Sequence, residues 1–192
     1  MVGRILITGG SGLLALNWAA AIRNSHSVTL ALHERQVCPM GVETRNIDLG
    51  SVDTLVDVFV QAAPQVVIHA AGLTNVEKCE SKPELARYVN VELASNVAHA
   101  CARLALPMAH ISTDHLFSGE HSLADEDQSI APVNVYGKTK AEAESRVLDC
   151  HPGALVIRTN FYGWGTSWRR SFSDTVIDGL RAGNRLTLFG DV

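Results

Sequence analysis

The stretch "RILITGGSGLLALNWAAAIRN" (4–24) joins a short apolar run, a glycine cluster and a longer run with helical apolar spacing. The first part, "RILIT" (4–8), predicts a buried strand, and "GLLALNWAAAIRN" (12–24) predicts the helix that follows it. A glycine-rich turn between a first strand and a first helix is typical of a dinucleotide-binding α/β domain. This stretch therefore predicts the start of such a domain.

Small residues occur at three spaced positions of the turn "TGGSGLLA" (8–15). Gly9 permits a tight turn, and Gly12 lets the backbone approach a pyrophosphate held at the helix N-terminus. Ala15 takes the third position, where a small side chain still lets the helix pack closely on the sheet. We interpret the turn as cofactor-binding, with a purely structural turn as the alternative.

Strands and helices alternate along the rest of the chain. Short apolar runs predict further strands at 27–32, 65–72, 108–113, 154–159 and 185–190, and "TRNIDL" (44–49) suits a short strand between the first two of these. Runs with helical spacing predict helices at 51–63 (Ser51 as N-cap), at 83–104, from near Tyr136 onward and at 171–183. The 83–104 helix has an apolar stripe of Leu85, Tyr88, Val89, Leu93, Val97, Cys101 and Leu104. Almost wholly apolar strands between helices predict an α/β fold with a doubly wound parallel sheet, as one domain over residues 1–192.

The composition narrows the class of partner. The chain has 192 residues, 46% of them hydrophobic and 19% charged, with a formal net charge of -4. This mildly acidic profile argues against nucleic-acid and anionic-membrane partners, and we see neither a membrane span nor a signal peptide. The four cysteines are scattered and form no CxxC pair, which favours free thiols in a reducing cytoplasm, and the eight dispersed histidines predict no metal site.

The residues after strand two bear on the choice of nicotinamide cofactor. An acidic residue there binds the adenine ribose, whereas a nearby arginine accommodates a 2′-phosphate. The strand is followed by His33 and Arg35, which favours NADP(H) over NAD(H), although Glu34 can take the acidic role if the strand ends later. The alternative is that Arg35 is a solvated surface charge.

Two further strand ends are expected to meet the cofactor. Asp48 and Leu49 follow strand three, where a carboxylate and an apolar contact can meet an adenine edge. Ala70 and Ala71 end strand four, and their small size suits a cofactor lying across the carboxyl ends of the strands. A simple tight turn is the alternative for the two alanines.

Strand five and the next helix supply a set of residues suited to carbonyl reduction. "ISTDHLF" (111–117) places Thr113 at the ligand-facing edge, and Tyr136 and Lys140 lie one turn apart on one helix face. A carbonyl that receives hydride needs a proton donor, and a neighbouring ammonium stabilises the phenolate and so lowers the pKa of a phenol. We predict that Tyr136 is the acid and that Thr113 positions the substrate oxygen. Lys140 is predicted to lower the pKa of Tyr136 and to bind the nicotinamide ribose.

Five motifs in this order resemble the extended short-chain dehydrogenase/reductases, and most closely the dTDP-4-dehydrorhamnose reductase subfamily. They are "TGGSGLLA", "AAGLTNVEKCE", "ISTDHLFSG", "PVNVYGKTKAEAE" and "VIRTNFYGWG". The resemblance implies a Rossmann-type domain that uses NAD(P)H to reduce a 4-keto nucleotide sugar, with Thr113, Tyr136 and Lys140 as the catalytic trio. It also implies cofactor contacts from Ser11, Gly12, Leu13, Leu14, Asp48, Leu49, Ala70, Ala71, Thr74, Tyr136 and Lys140, and substrate contacts from Thr113 and Asp114.

Several positions near the implied sugar site leave alternatives open. Related dehydratases have an acidic residue where this chain has His115, so dehydration is disfavoured; the reductases commonly have tyrosine there, so the sugar is undetermined. Asn160 can contact the substrate. Arg169 or Arg170 can contact its diphosphate, or can equally be surface charges next to the following helix.

The resemblance also sets the competing functions. Family members continue beyond "LTLFGDV" (186–192) into a substrate-binding lobe, so we expect an incomplete sugar pocket here, and NADPH binding is a safer prediction than activity. The alternatives are another extended reductase or epimerase acting on a sugar nucleotide, and a non-catalytic NADP-binding regulatory subunit. A homodimer is compatible with the resemblance, and the sequence leaves the oligomeric state open.

Overall fold

The computed structural model describes residues 3–119, 124–168 and 170–188. The chain forms two compact units, Met1–Asn160 and Phe161–Val192. The assignment of all 192 residues to one dinucleotide-binding domain stays a prediction. No helix in the described ranges has the length and apolar character needed to cross a membrane.

The first unit contains a six-stranded parallel sheet in the order β3-β2-β1-β4-β5-β6. Its strands are β1 (Gly3–Thr8), β2 (His26–Leu32), β3 (Glu43–Asn46), β4 (Val66–His69), β5 (Met108–Ile111) and β6 (Leu155–Ile157). The strand order reverses direction at β1, which creates the crevice where doubly wound sheets bind dinucleotides. The predicted α/β fold with a doubly wound parallel sheet is confirmed.

Helices cover both faces of this sheet. They are α1 (Leu13–Ile22), α2 (Val52–Ala62), α3 (Val76–Ser81), α4 (Pro83–Arg87), α5 (Leu93–Arg103) and α6 (Val135–Cys150). One core cluster packs Leu6, Val67 and Met108 of the sheet against α2, α5 and α6. The other includes Ile7 and Ile68 of the sheet together with buried alanines of α1.

The strands β3 to β6 end earlier than the sequence predicts. The predicted strands continue to residues 49, 72, 113 and 159, but the hydrogen-bonded ladders stop at Asn46, His69, Ile111 and Ile157. Beyond these points the chain leaves the sheet at its carboxyl edge, so residues that resemble strand in sequence form loops over that edge. The predicted N-cap of α2 is confirmed, because the Ser51 hydroxyl accepts a hydrogen bond from the Thr54 amide at 3.3 Å.

The predicted helix at 83–104 is interrupted. A π-helical turn (Tyr88–Glu92) separates α4 from α5, and its wider winding rotates the buried face. Leu85 and Tyr88 of the predicted stripe are consequently exposed, whereas Ala86, Asn90 and Val91 are buried. The stripe prediction is therefore wrong for its first turns. The short helix α3 was not predicted.

The second unit contains α7 (Phe172–Arg181), close to the predicted bounds. Ser171 and Asp174 form a reciprocal capping box at its start. The strand predicted at 185–190 is wrong for residues 185–188, which form no strand; residues 189–190 lie outside the described ranges. Leu186 instead lies over Gly179 of α7, where a β-carbon on Gly179 would be 2.6 Å from the Leu186 side chain.

Candidate active site

The turn after β1 has no room for side chains at Gly9 and Gly10. Gly9 has φ of +69°, and a β-carbon there would lie 2.8 Å from the backbone of Ala70 and Ala71. A β-carbon on Gly10 would lie 2.7 Å from the Leu30 β-carbon. Gly12 is the N-cap of α1 and has no side chain with which to cap the first amides of the helix. This turn has the form of an anion-binding helix N-terminus.

A cleft of about 390 Å³ opens beside this turn. It is lined by Ser11 of the turn and by His33, Glu34 and Arg35, which follow β2. The structure therefore brings together the turn and the residues predicted to select the cofactor. Leu13 and Leu14, also predicted as cofactor contacts, form the first turn of α1.

The ends of β3 and β4 lie at the same edge. Asp48 is exposed, and its carboxylate accepts a hydrogen bond from the Gly50 amide at 2.8 Å, while the Leu49 carbonyl accepts one from Asn96 at 3.0 Å. The Ala71 amide donates to the Thr8 hydroxyl at 3.3 Å. Ala70 and Ala71 therefore follow the backbone of the glycine turn closely, whereas Thr74 is exposed just before α3.

Thr113 lies two residues beyond β5 and is 4% exposed. Its hydroxyl accepts a hydrogen bond from the His115 amide at 3.2 Å and donates to the Asp114 carboxylate at 3.3 Å. A short 3-10 turn (Asp114–Leu116) follows, with Asp114 and His115 exposed. The strand end thus presents a buried hydroxyl flanked by two exposed polar side chains.

The start of α6 is held against this segment. The Asn134 side chain caps the helix by accepting from the Gly137 amide at 2.7 Å, and Glu80 accepts from the Val135 amide at 2.7 Å. A β-carbon on Gly137 would overlap the His115 carbonyl oxygen. This glycine lets the helix approach the turn, so that Tyr136, 9% exposed, meets the His115 ring edge-on with centroids 5.4 Å apart.

Lys140 follows one helical turn later and is 4% exposed. Its ammonium donates to the Ile111 carbonyl at 2.6 Å and lies 3.3 Å from His110 Nε2. Burial lowers the pKa of Lys140 to about 8, and the Glu144 carboxylate opposes that change. Tyr136 and Lys140 therefore contact the β5 segment on either side of Thr113, and the structure brings the predicted trio together.

Asn90 is a site residue that the sequence analysis missed. The π-helical turn points it inward, where it is 2% exposed. Its side chain accepts from the Leu73 amide at 2.7 Å and donates to the Leu73 carbonyl at 3.2 Å and to the Thr139 hydroxyl at 3.0 Å. It thereby joins the loop after β4 to the helix that carries Tyr136. The local sequence gives no signal for this role, since the same segment contains other polar residues, including Arg87, Glu92 and Asn96.

Two of the residues predicted to contact the substrate and its diphosphate, Asn160 and Arg170, lie at exposed positions. Asn160 is exposed three residues beyond β6. Its neighbour Arg158 makes a bidentate ion pair with Glu144, with a shortest distance of 2.8 Å. Arg170 pairs with Asp178 of α7, as expected for a surface charge beside that helix. Arg169 lies outside the described residues.

The sequence of the chain is similar to a known protein family. The profile of the RmlD substrate binding domain matches residues 3–191. The probable low-salt glycan biosynthesis reductase Agl14 of Haloferax volcanii is 32% identical over 193 residues, covering 96% of this chain and 63% of the relative. Methionine adenosyltransferase 2 subunit beta of Mus musculus is 32% identical over 155 residues, covering 81% of this chain and 46% of the relative.

A solved structure agrees with the sequence relatives. The dTDP-4-dehydrorhamnose reductase of Bacillus anthracis in complex with NADP superposes with a TM-score of 0.78 at 25% identity, covering 95% of this chain and 61% of that one. The chain thus spans less than two thirds of the length of these relatives. The order of its motifs, the strand order of its sheet and the profile match agree: the chain belongs to the RmlD substrate-binding domain family, as a dTDP-4-dehydrorhamnose reductase-like extended short-chain dehydrogenase/reductase.

Proposed function

We propose that the chain binds NADPH and supports the reduction of a 4-keto nucleotide sugar to the 4-hydroxyl sugar. The observation that carries this proposal is the ammonium of Lys140, buried at the Ile111 carbonyl and one helical turn from Tyr136. Burying an ammonium costs free energy because it loses its hydration. Beside a phenol, that charge stabilises the phenolate and so helps the phenol to release a proton near neutral pH.

The residues at the sheet edge fit a dinucleotide. Gly9 and Gly10 let the turn pack closely against the loop after β4 and against β2, which holds the N-terminus of α1 where a pyrophosphate can bind. Arg35 and His33 in the neighbouring cleft favour a 2′-phosphate, and hence NADPH, over an unmodified ribose. Asp48, Leu49, Ala70, Ala71 and Thr74 are proposed to line the remainder of the cofactor site.

The proposed chemistry assigns one task to each member of the trio. NADPH supplies the hydride when it is bound. Tyr136 donates its phenolic proton to the carbonyl oxygen as negative charge develops there, and Lys140 stabilises the resulting phenolate. Thr113 donates a hydrogen bond to the same oxygen in place of the one it gives to Asp114. Asp114 and Asn160 are proposed to contact the sugar.

The test separates cofactor binding from turnover. Isothermal titration of the chain with NADPH and with NADH is expected to give tighter binding of NADPH. Reduction of a panel of 4-keto sugar nucleotides is then assayed with the same protein. Tyr136→Phe is expected to keep NADPH affinity within about threefold while turnover falls by roughly 10² or more, because the proton donor is lost.

A second function is favoured by one of the relatives. Methionine adenosyltransferase 2 subunit beta matches 81% of this chain, and its name describes a subunit of another enzyme. A dinucleotide-binding subunit without catalysis of its own is therefore the alternative. Binding of NADPH with no turnover, unchanged by Tyr136→Phe, would support this alternative, and failure to bind either dinucleotide would refute both functions.

A further inference from the structure

A row of polar side chains lies behind Lys140 inside the sheet. Thr8, His69 and His110 are register partners across β1, β4 and β5, so they occupy equivalent positions on neighbouring strands. Each is 0% exposed. Two buried histidines on one face of a parallel sheet are unusual, because imidazole loses its hydration there and needs hydrogen-bond partners.

The contact with Lys140 determines the tautomer of His110. An ammonium has only donors, so the 3.3 Å contact with His110 Nε2 requires that nitrogen to accept and places the ring proton on Nδ1. Within the described residues, His110 Nδ1 and His69 Nε2 have no hydrogen-bond partner. Among these residues, the contact with Lys140 is therefore the only hydrogen bond of the His110 ring.

His69 supports the ring of His110. The two rings stack with centroids 5.4 Å apart and planes 15° from parallel. His69 is itself held by Thr8, whose hydroxyl lies 2.9 Å from His69 Nδ1. Burial, followed by the charge of Lys140, lowers the pKa of His69 to about 3 and that of His110 well below its ordinary value. Both rings are consequently neutral at physiological pH, and His110 keeps its acceptor.

The other titratable groups near Lys140 do not replace His110 Nε2 as an acceptor. Glu144 and Tyr136 lie on the same helix, one turn to either side. The Glu144 carboxylate is already engaged by the guanidinium of Arg158. In the described part of the chain, the hydrogen bonds of the ammonium therefore go to neutral groups, the Ile111 carbonyl and His110 Nε2.

We propose that His110 is a positioning residue for Lys140: its neutral Nε2, held in plane by the stack on His69, accepts a hydrogen bond that keeps the buried ammonium charged and in place. The role of the charge in catalysis rests on the proposed function, but the coupling of His110 to Lys140 does not. The proposal can therefore be tested without cofactor or substrate.

The experiment follows the titration of Lys140 directly. The chain has four lysines, Lys78, Lys82, Lys138 and Lys140, so a protein labelled with ¹³C at the lysine ε-carbons gives few signals, and Lys140→Met identifies the one of interest. The wild-type Lys140 signal is expected to titrate near pH 8. In His110→Phe the midpoint should fall by about 1 pH unit, because a hydrogen bond to the charged form is lost.

Matched variants separate the acceptor from simple packing. His110→Gln offers an amide oxygen near the position of Nε2 and should restore at least half of the change in midpoint. His26→Phe makes the same substitution at a partly exposed histidine that contacts Ser25, and should leave Lys140 unchanged. A folded His110→Phe with the wild-type midpoint would overturn the proposal.

A measurement on the wild-type protein covers the case in which His110→Phe does not fold. Long-range ¹H–¹⁵N correlation at pH 7 is expected to show His110 protonated on Nδ1 and bare on Nε2. A proton on Nε2 would refute the proposal, since that nitrogen could not accept from Lys140. If Lys140 responds to His110 but the protein binds no dinucleotide, the coupling stands and the proposed function fails.

Discussion

The glycine turn after β1 and the Thr113 segment after β5 lie at the same carboxyl edge of the sheet and are built in opposite ways. The turn packs closely against its neighbours because Gly9 and Gly10 have no side chains: an added β-carbon would lie 2.8 Å (Gly9) or 2.7 Å (Gly10) from neighbouring atoms. The Thr113 segment instead buries polar side chains: Thr113 itself and Lys140 of α6, which packs against the segment, are both 4% exposed. The first is sensitive to added volume, and the second to lost hydrogen bonds.

The largest expected effect is on the turn. Gly9→Ala combines a strained backbone, with φ of +69°, and a clash with the Ala70–Ala71 backbone. We expect a loss of about 4 kcal/mol of unfolding free energy and of measurable NADPH binding. Chemical denaturation and calorimetric titration provide the measurements.

Gly41→Ala is the matched control for the turn. Gly41 has a similar φ of +75°, but the nearest atom to its added β-carbon is 3.8 Å away on Arg23. It should cost only about 1 kcal/mol, from backbone strain alone. Equal costs at Gly9 and Gly41 would mean that close approach of the backbones contributes nothing.

The next effect is on the buried polar groups. Asn90→Leu keeps a similar volume but leaves the Leu73 amide without its 2.7 Å acceptor and the Thr139 hydroxyl without its donor. We expect a loss of about 3 kcal/mol of unfolding free energy and slower turnover, because the loop after β4 is released from α6. Asn17→Leu, on the exposed face of α1, should change stability by less than about 1 kcal/mol. Similar costs for the two variants would contradict the bridging role.

The smallest effect is a pH dependence set by Lys140. Its pKa is lowered from 10.5 to about 8 in the folded protein, so between these values the unfolded chain binds more protons. Stability should therefore rise as pH increases through 8 and level off near 10.5. Between pH 7 and 9.5 the gain is about 2 kcal/mol.

Lys140→Met removes this titration and gives the reference curve. The difference in unfolding free energy between the wild type and this variant should grow in favour of the wild type as pH rises. The other lysines titrate alike in both proteins, so their contributions cancel, and Tyr136→Phe in both backgrounds removes the phenol whose pKa Lys140 is proposed to lower. A difference that is flat from pH 7 to 9.5 would show that the ammonium is not desolvated.

Much of the fold follows from local patterns. Short strand-like runs located every strand of the sheet, and Ser51 marked the start of α2 as predicted. The failures occur where local pattern and tertiary packing disagree. "RLTL" (185–188) has a strand-like composition, but Leu186 packs on α7 instead. The π-helical turn at Tyr88–Glu92 leaves no mark in a stripe counted at regular helical spacing.

The candidate site shows the same division. Thr113, Tyr136 and Lys140 were predicted because their types, order and spacing suit one reaction, and the structure places them around one strand end. Gly10, Gly137 and Asn90 were missed. Each is required by a neighbour distant in sequence, respectively Leu30, His115 and Leu73. A glycine in the first turn of a helix was the available signal for Gly137, since glycine is otherwise unfavourable there.

The sequence by itself determined the class of sheet, the turn before the first helix and the candidate residues for the proposed reduction, because periodicity and side-chain chemistry are local properties. Only the tertiary structure decided which groups surround Lys140. The neutral rings of His69 and His110 become its neighbours through strand register, and the chain separates these positions by tens of residues. Burial and hydrogen bonding, which set the charge of a group, are properties of the packed molecule and not of the residue.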